Sequence, residues 1–598
     1  MLCRLRGRPW SDPPLVARDA AARFLRTARG GRQRHRDHMS RLSRLEAQAH
    51  DRERLRLEQR QRVLAARTQA PVLASYIRVR DLAKALRAPL TKVLQHTVTK
   101  SHGRFYLKTT SHPRVEYKGI KQIILPFRVA QQVAEHFGTH VAYQDMDPAA
   151  SDASTRRGPD VRRRQPVIAV MGHVDHGKTT LMDTLRAHNT RPVKKIAPYE
   201  KHGITQKINV CEATVGDDVE ATFLDTPGHF HFFRMRSSAA HVADAVLLIV
   251  AADEGVLLQT EESIGAVEEA GVPVVVCINK VDLLADDEQE QQMDGIVNEL
   301  RSFVALQASP VVRISGKTGA GLDALRQTVG QVVHQLAEEG ALDALVGPHV
   351  HAEGLVLESV AVQGRGTVLR VLIKHGILER KQHFVAGLIH GVVRSLHDAE
   401  GGTLQHAVPG TVVDVTYVNK SKHVDAPNDH GFFVLPEARA KQVLEQRELA
   451  LEFKECLVPE NDEASTTDAE YTSIDADKSL DTRSPEQPVD AKDPKPIIVK
   501  ADGAGSLTTI QDTVDAMAGI TTVRLGIGHI SVQDIDVAIN GKCPIFGFNV
   551  KLRRREAKLA TERGVRVILR ATVHDLIHEI STFEHDERFE EGEVQEMS

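Results

Sequence analysis

The stretch that constrains this chain most is Val167–Leu181, VIAVMGHVDHGKTTL. An apolar run of this kind suits a strand buried on both faces, and it leads through Gly172-x4-Gly177-Lys178-Thr179 into a helix. Glycines at 172 and 177 let the backbone of His173, Val174, Asp175 and His176 wrap inward, so that successive N–H groups can meet a polyphosphate. Lys178 offers a point charge to the outer phosphates, and the Thr179 hydroxyl offers a ligand to Mg²⁺. The helix that begins through Thr179 and Thr180 adds its partial positive end. Further runs, ATFLDT, AVLLIVAA, VPVVVCINK and VVRIS, alternate with helical segments, which predicts a doubly covered parallel sheet over 166–340.

Two later motifs fall at strand ends. Asp225-Thr226-Pro227-Gly228 places a carboxylate (Asp225) where it can hold the Mg²⁺ shell and an N–H (Gly228) where it can meet a γ-phosphate. Asn279-Lys280-Val281-Asp282 supplies a carboxylate, Asp282, suited to the N1–H and N2–H₂ edge of guanine. Adenine presents an acceptor at N1, and a site satisfied by a polar edge rejects the wrong base by ~10⁴-fold or more. Either motif alone is an ordinary turn after a strand. Behind a phosphate loop, in this order, they predict a site for GTP with Mg²⁺.

The remainder reads as further domains. Residues 1–36 carry ten Arg and only Asp12 and Asp19, the composition of an organelle transit peptide or of a basic arm that touches RNA. Residues 37–70 read as a charged helical linker, 71–145 as a small module and 146–165 as a linker. Short Val/Gly-rich strands over 350–436 predict a β-barrel. Residues 437–495 read as a helix followed by a disordered acidic linker, 496–578 as a second α/β domain, and 579–598 as an acidic tail. The fold class is therefore α/β multidomain. Although the formal charge is only −3, residues 1–70 sum to +11 and residues 459–493 to −8, so the extremes lie outside the foldable segments. The longest apolar run is about half the ~20 residues a membrane-spanning helix needs, so no membrane insertion is expected. Five scattered cysteines without a CxxC argue against a disulfide scaffold or a zinc ribbon.

GHVDHGKTT, then Gly203-Ile204-Thr205-Gln206, then DTPGH resemble the translational GTPases, and GITQ resembles bacterial-type translation initiation factor 2 in its organellar, mitochondrial form. Gly364-Arg365-Gly366, Val499-Lys500-Ala501-Asp502 with Gly505-Ser506, and Gly547-Phe548-Asn549-Val550 resemble that family in the same order. The resemblance implies that Thr205 joins the Mg²⁺ shell, that His229 is the catalytic residue orienting the attacking water, and that Ser315, Gly316 and Lys317 form the remaining base-contacting loop. His173 and His176 are expected to shape the loop. It further implies a ribosome-stimulated GTPase acting as a monomer on an organellar ribosome, with initiator formyl-methionyl-tRNA as a further partner and the mitochondrial matrix, or a plastid, as its compartment. Ser315-Gly316-Lys317, Ser237-Ser238 and Ala252-Asp253-Glu254-Gly255 depart from the family's usual strings. The family also continues into a tRNA-binding β-barrel, for which about 90 residues are needed. Only 23 residues follow Asp575, so that barrel is expected to be absent. The alternative is then a ribosome-docking GTPase that acts in subunit joining or assembly without binding initiator tRNA.

Overall fold

The computed structural model describes residues 71–108, 115–148, 160–187, 205–216, 219–284, 289–347, 350–362, 364–421, 431–457, 494–517 and 519–585. The transit-like segment, the 37–70 stretch, Gly203, Ile204, most of the acidic linker and residues 586–598 lie outside them.

The GTPase domain is built on β1 (Val167–Gly172), α1 (Lys178–Ala187), β2 (Asn209–Val215), β3 (Val219–Asp225), α2 (Phe233–Val242), β4 (Ala245–Ala251), α3 (Leu258–Ala270), β5 (Val274–Asn279), α4 (Gln289–Arg301), β6 (Val311–Arg313) and α5 (Leu322–Glu338). Its sheet order is β2-β3-β1-β4-β5-β6, parallel except for the β2–β3 hairpin. The apolar runs are unbroken because alternate residues serve opposite cores. Ile168, Val170, Leu247 and Ile249 pack under α1 and α5, while Ala169, Met171, Leu248 and Val250 pack under α3 and α4. All strands that carry motifs therefore end at one edge of the sheet.

The barrel follows, with β7 (Glu353–Val362), β8 (Gly366–His375), β9 (His383–Ala386), β10 (Ile389–His397), β11 (Val412–Asn419) and β12 (Gly431–Val434). Order β9-β12-β7-β8-β11-β10 closes through a β9–β10 pairing. Closure removes the exposed edges that such short strands would otherwise present. Helix α6 (Glu437–Glu455) then runs back to the small N-terminal module. That module places helices Val79–Leu86, Leu90–Thr97 and Phe127–His136 around Tyr117, Ile123 and Leu125. Its Tyr76 ring sits 5.4 Å from Phe453, and Arg78 pairs with Glu452 at 3.0 Å.

The last domain alternates β13 (Lys495–Ala501), α7 (Ala504–Asp515), β14 (Ile520–Ile527), α8 (Val532–Gly541), β15 (Ile545–Phe548), α9 (Arg554–Glu562), β16 (Val567–Arg570) and α10 (Val573–His585), with a parallel sheet of order β14-β13-β15-β16. Helix α10 runs past the expected limit at 578 because Ile580 and Phe583 belong to that domain's core. The 146–165 linker likewise ends in a strand: Asp160–Arg163 pairs with Asp343–Val346, and Arg164 grips Asp244 with both guanidinium arms at 2.5 and 2.6 Å. No helix among the described residues is long and apolar enough to cross a membrane.

Candidate functional site

The phosphate side grows from the end of β1. Gly172 has φ +139°, and a Cβ there would lie 2.2 Å from the Ile249 carbonyl oxygen. Gly177 has φ +85°, and its Cβ would fall 2.5 Å from Asn279 Nδ2. Backbone of both positions is thus open only to glycine. Between them, Asp175 is exposed and left-handed at φ +62°. The Val174 N–H donates to Gln259 Oε1 on α3 at 3.3 Å. His176 is buried with Nδ1 3.2 Å from the Ile249 carbonyl and 3.3 Å from the Ala251 amide. Burial pushes its pKa well down, so the ring is a neutral prop under the loop. His173 is likewise lowered, first by burial, and its carbonyl accepts from Lys178 Nζ at 2.5 Å.

Three oxygens converge beside the lysine. The Thr179 hydroxyl donates to Asp225 Oδ2 at 2.9 Å, and the Thr205 hydroxyl lies 2.9 Å from Thr179 Oγ1. Residues from α1, from the loop before β2 and from the end of β3 therefore meet at one point. Gly228 closes on the same place: a Cβ there would approach Lys178 Nζ to 2.5 Å and the Val174 amide nitrogen to 2.9 Å. Thr180 is exposed on α1 and its carbonyl accepts from Thr184 at 2.9 Å.

The base side is tied to the phosphate side by one asparagine. Asn279 Nδ2 donates to the His176 carbonyl and its Oδ1 accepts from the Gly316 N–H, both at 2.8 Å. Ser315 Oγ donates to Asp282 Oδ1 at 2.6 Å, which fixes that carboxylate's direction. Lys280 is left-handed at φ +64° and reaches Asp253 and Glu254 at 3.2 and 3.3 Å. Burial opposes its charge, yet those hydrogen bonds hold its pKa above the usual value. Lys317 is exposed at the rim. The structure therefore brings Asn279, Asp282, Ser315 and Gly316 together and hangs them on the phosphate loop. The Asp253-Glu254 departure also gains a role, as the seat for Lys280.

Beyond Gly228 the chain leaves the sheet edge for another domain. Arg236 on α2 is 0% exposed and donates Nη1 to the carbonyls of Pro227, Gly228 and His229 at 3.2, 3.1 and 2.6 Å. Its Nη2 pairs with Glu262 on α3 at 2.6 Å. Phe232 and Met235 enter the core of the last domain with Ile497, Phe546 and Leu576. Gly505 admits Met235, since a Cβ there would meet its methyl at 1.9 Å. His229 turns its Nε2 toward His574 Nε2 on α10, 2.6 Å away, and stacks on His231 with centroids 5.1 Å apart. Burial, then His574 and His231, push the His229 pKa down to about 4. Arg236, His231 and His574 stand outside every motif legible in the sequence. No local signal marks the first, because its helix, FRMRSSAAHV, mixes polar and apolar residues; only spatial proximity reveals the others.

Residues 163–335 match the Elongation factor Tu GTP binding domain, residues 351–424 Elongation factor G domain 2, and residues 472–581 Translation-initiation factor 2. The translation initiation factor IF-2 of Paracoccus denitrificans is 31% identical over 458 residues, which is 75% of this chain and 50% of its own length. That of Phenylobacterium zucineum is 34% identical over 426 residues, 70% of this chain and 39% of its own. The chain thus spans about half, or less, of these curated relatives. Among solved structures, GDP-bound aIF5B from Aeropyrum pernix superposes with a TM-score of 0.40 at 22% identity, over 71% of this chain and 75% of that one, a likeness too loose to carry an argument. The guanine-nucleotide domain, the barrel and the initiation-factor domain stand in one polypeptide and in this order, and they are the domains of the bacterial-type translation initiation factor 2 family within the translational GTPases.

Proposed function

We propose that this chain is a GTP-hydrolysing initiation factor that helps place initiator tRNA and join ribosomal subunits inside an organelle, the mitochondrion first and a plastid second. One observation carries the nucleotide reading. Asn279 links the His176 carbonyl to the Gly316 amide, so the phosphate loop and the Asp282–Ser315 pair form a single rigid cradle. Gly172 to Thr180 hold the phosphates, Asp282 reads the guanine edge, and Lys280, Ser315, Gly316 and Lys317 complete the base pocket.

The donors present fit Mg²⁺. Thr179, Thr205 and Asp225 offer only oxygen, as a hard cation prefers, and the Thr179 hydroxyl lies 2.9 Å from an oxygen of each of the other two. Bound there, the ion would offset charge on the outer phosphates. Lys178 supplies a second fixed charge, and Gly228 is placed to feel whether a γ-phosphate occupies the space against the loop. His229 orients the attacking water once the ribosome draws it from His574. Correct placement of that kind is worth ~10³–10⁵ in rate, or about 4–7 kcal/mol of barrier.

The organelle reading rests on the arginine-rich, acid-poor first 36 residues. Fusing them to a reporter protein should direct it into mitochondria; a cytosolic reporter would overturn it. For the nucleotide reading, calorimetry with Mg²⁺ should show GTP uptake and at least a 10³-fold preference over ATP, following from the Asp282 geometry. Equal uptake of both would sink it. His229→Ala should leave GTP binding intact and abolish stimulation by bacterial-type ribosomes. Direct binding of formyl-methionyl-tRNA supports the full role, whereas stimulation without such binding assigns the chain to subunit docking alone.

A further inference from the structure

We propose that His229, His231 and His574 form a site for a divalent metal of the zinc class, bridging the loop after β3 to the first turn of α10. Their ligand nitrogens all lie within 4.8 Å of one another, and the His229 and His574 Nε2 atoms are 2.6 Å apart. A tetrahedral ion with bonds of about 2.0–2.1 Å needs its nitrogens about 3.3–3.4 Å apart. The closest pair therefore has to open by under an ångström and His231 to swing in, which imidazole rotation supplies.

The ring directions suit this. His229 and His231 stack at 5.1 Å, and His574 meets both edge to face, with centroids 4.1 and 5.2 Å away, so each ring touches the other two. Two ring nitrogens at 2.6 Å repel each other unless a proton or a cation lies between them. The other nitrogen of His229 sits 3.4 Å from the His231 amide, a long contact that yields easily. A cavity of about 330 Å³ adjoins the cluster, with Gln206, Thr572 and Asp575 in its wall. It leaves room for water at a fourth position, with the Asp575 carboxylate, now accepting from Thr572 at 2.6 Å, available to hold that water. His574 is exposed, which gives the ion a way in.

The donor chemistry selects the ion. Three neutral imidazoles favour zinc, cobalt, nickel or copper and disfavour magnesium, whose all-oxygen site is formed separately by Thr179, Thr205 and Asp225. Occupying the cluster has a consequence that rests on the GTPase reading. The metal would bind the Nε2 of His229 and hold the loop after β3 against the last domain. The histidine assigned to water would then be withheld, and GTP hydrolysis would be metal-repressed.

The test uses the full, untagged chain stripped with chelator. Titration with Co²⁺ should give one saturable equivalent with the visible absorption of a tetrahedral nitrogen site, displaced by Zn²⁺ and indifferent to excess Mg²⁺. His231→Asn and His574→Gln should each weaken binding at least 10-fold while thermal melting confirms that they fold. His241→Asn, exposed on α2 outside the cluster, should change nothing. No saturable signal, or the same signal in a folded His231→Asn/His574→Gln double variant, overturns the site. Zn²⁺ should lower ribosome-stimulated hydrolysis several-fold in the parent chain and leave the His574→Gln chain unaffected. If Zn²⁺ binds and hydrolysis is unmoved, the repression fails and the site stands. If the stripped chain hydrolyses no GTP under any condition, the GTPase reading fails while the cobalt titration still decides the site.

Discussion

The four residues Asp225–Gly228 and the seven that follow them run from the end of β3 through one loop into α2, yet they serve two regions built on different principles. Toward the nucleotide edge, geometry is set by backbone: glycines at positive φ, carbonyls and amides held by one asparagine, all from short contiguous strings. Toward the last domain it is set by side chains: Phe232 and Met235 in a foreign core, and His229 against a partner 345 positions away. A backbone cradle tolerates almost no change of residue type. A packed junction tolerates change wherever volume can be traded across it.

The contrast is broken most severely at Lys178. Its Nζ lies between the His173 carbonyl and Gly228, so Lys178→Ala should reduce GTP affinity by on the order of 10²–10³-fold, the cost of removing one partner of a buried charge pair. Calorimetry measures the loss. Thermal unfolding of the last domain should be unaltered; a parallel fall would mean that the two regions are not separable.

Arg236 stands on the boundary and should couple them. Arg236→Met removes the donor from three carbonyls and the partner from Glu262, at a cost of about 2–4 kcal/mol. Both the thermal midpoint and protease resistance at 226–236 should fall. A cost near zero would show that the segment is held by Phe232 and Met235 alone.

At the junction, Gly505→Ala should destabilise by about 1–2 kcal/mol, because its Cβ displaces the Met235 methyl within a filled core. Met235→Ala makes room for that methyl. Thermal melts of the double variant should therefore show less than the sum of the two single costs, and strict additivity would deny the contact.

Legibility in the sequence follows the same division. Gly172, Lys178, Asp225, Asn279 and Asp282 were readable because each must sit at a fixed offset from an apolar strand end, and burial on both faces made those strands conspicuous. The closed barrel was readable from its strand spacing. Arg236 escaped because three of its partners are backbone carbonyls, which leave no mark in a sequence, and the fourth, Glu262, lies 26 positions away. His231 and His574 escaped because nothing local links residues more than 340 apart. Helix α6 was read as a helix ahead of the acidic linker, with no sign of what it packs against. In the structure Ala440 and Val443 face the barrel while Phe453 faces the N-terminal module, a division between two surfaces that erases a single apolar stripe.

The smallest effect concerns a third contact, where the barrel meets both neighbours. Glu358 on β7 is 1% exposed, and neither of its carboxylate oxygens has a hydrogen-bond partner among the described residues. Gly503 leaves it room, since a Cβ there would lie 2.8 Å from Oε1. Burial pushes its pKa from 4.5 up to about 7; Arg370 and Lys207 pull downward while Asp502 and Asp414 push further up. A carboxyl that holds its proton more tightly folded than unfolded makes stability fall as the pH rises from about 4.5 to about 7, after which the loss is complete. Glu358→Gln imitates the protonated form at every pH. Its melting temperature should match the parent at pH 5 and exceed it at pH 8, by an amount equivalent to on the order of 1 kcal/mol. A variant less stable than the parent at pH 8 would instead show that the charged Glu358–Arg370 pair, 4.0 Å apart between β7 and β8, stabilises the barrel on balance.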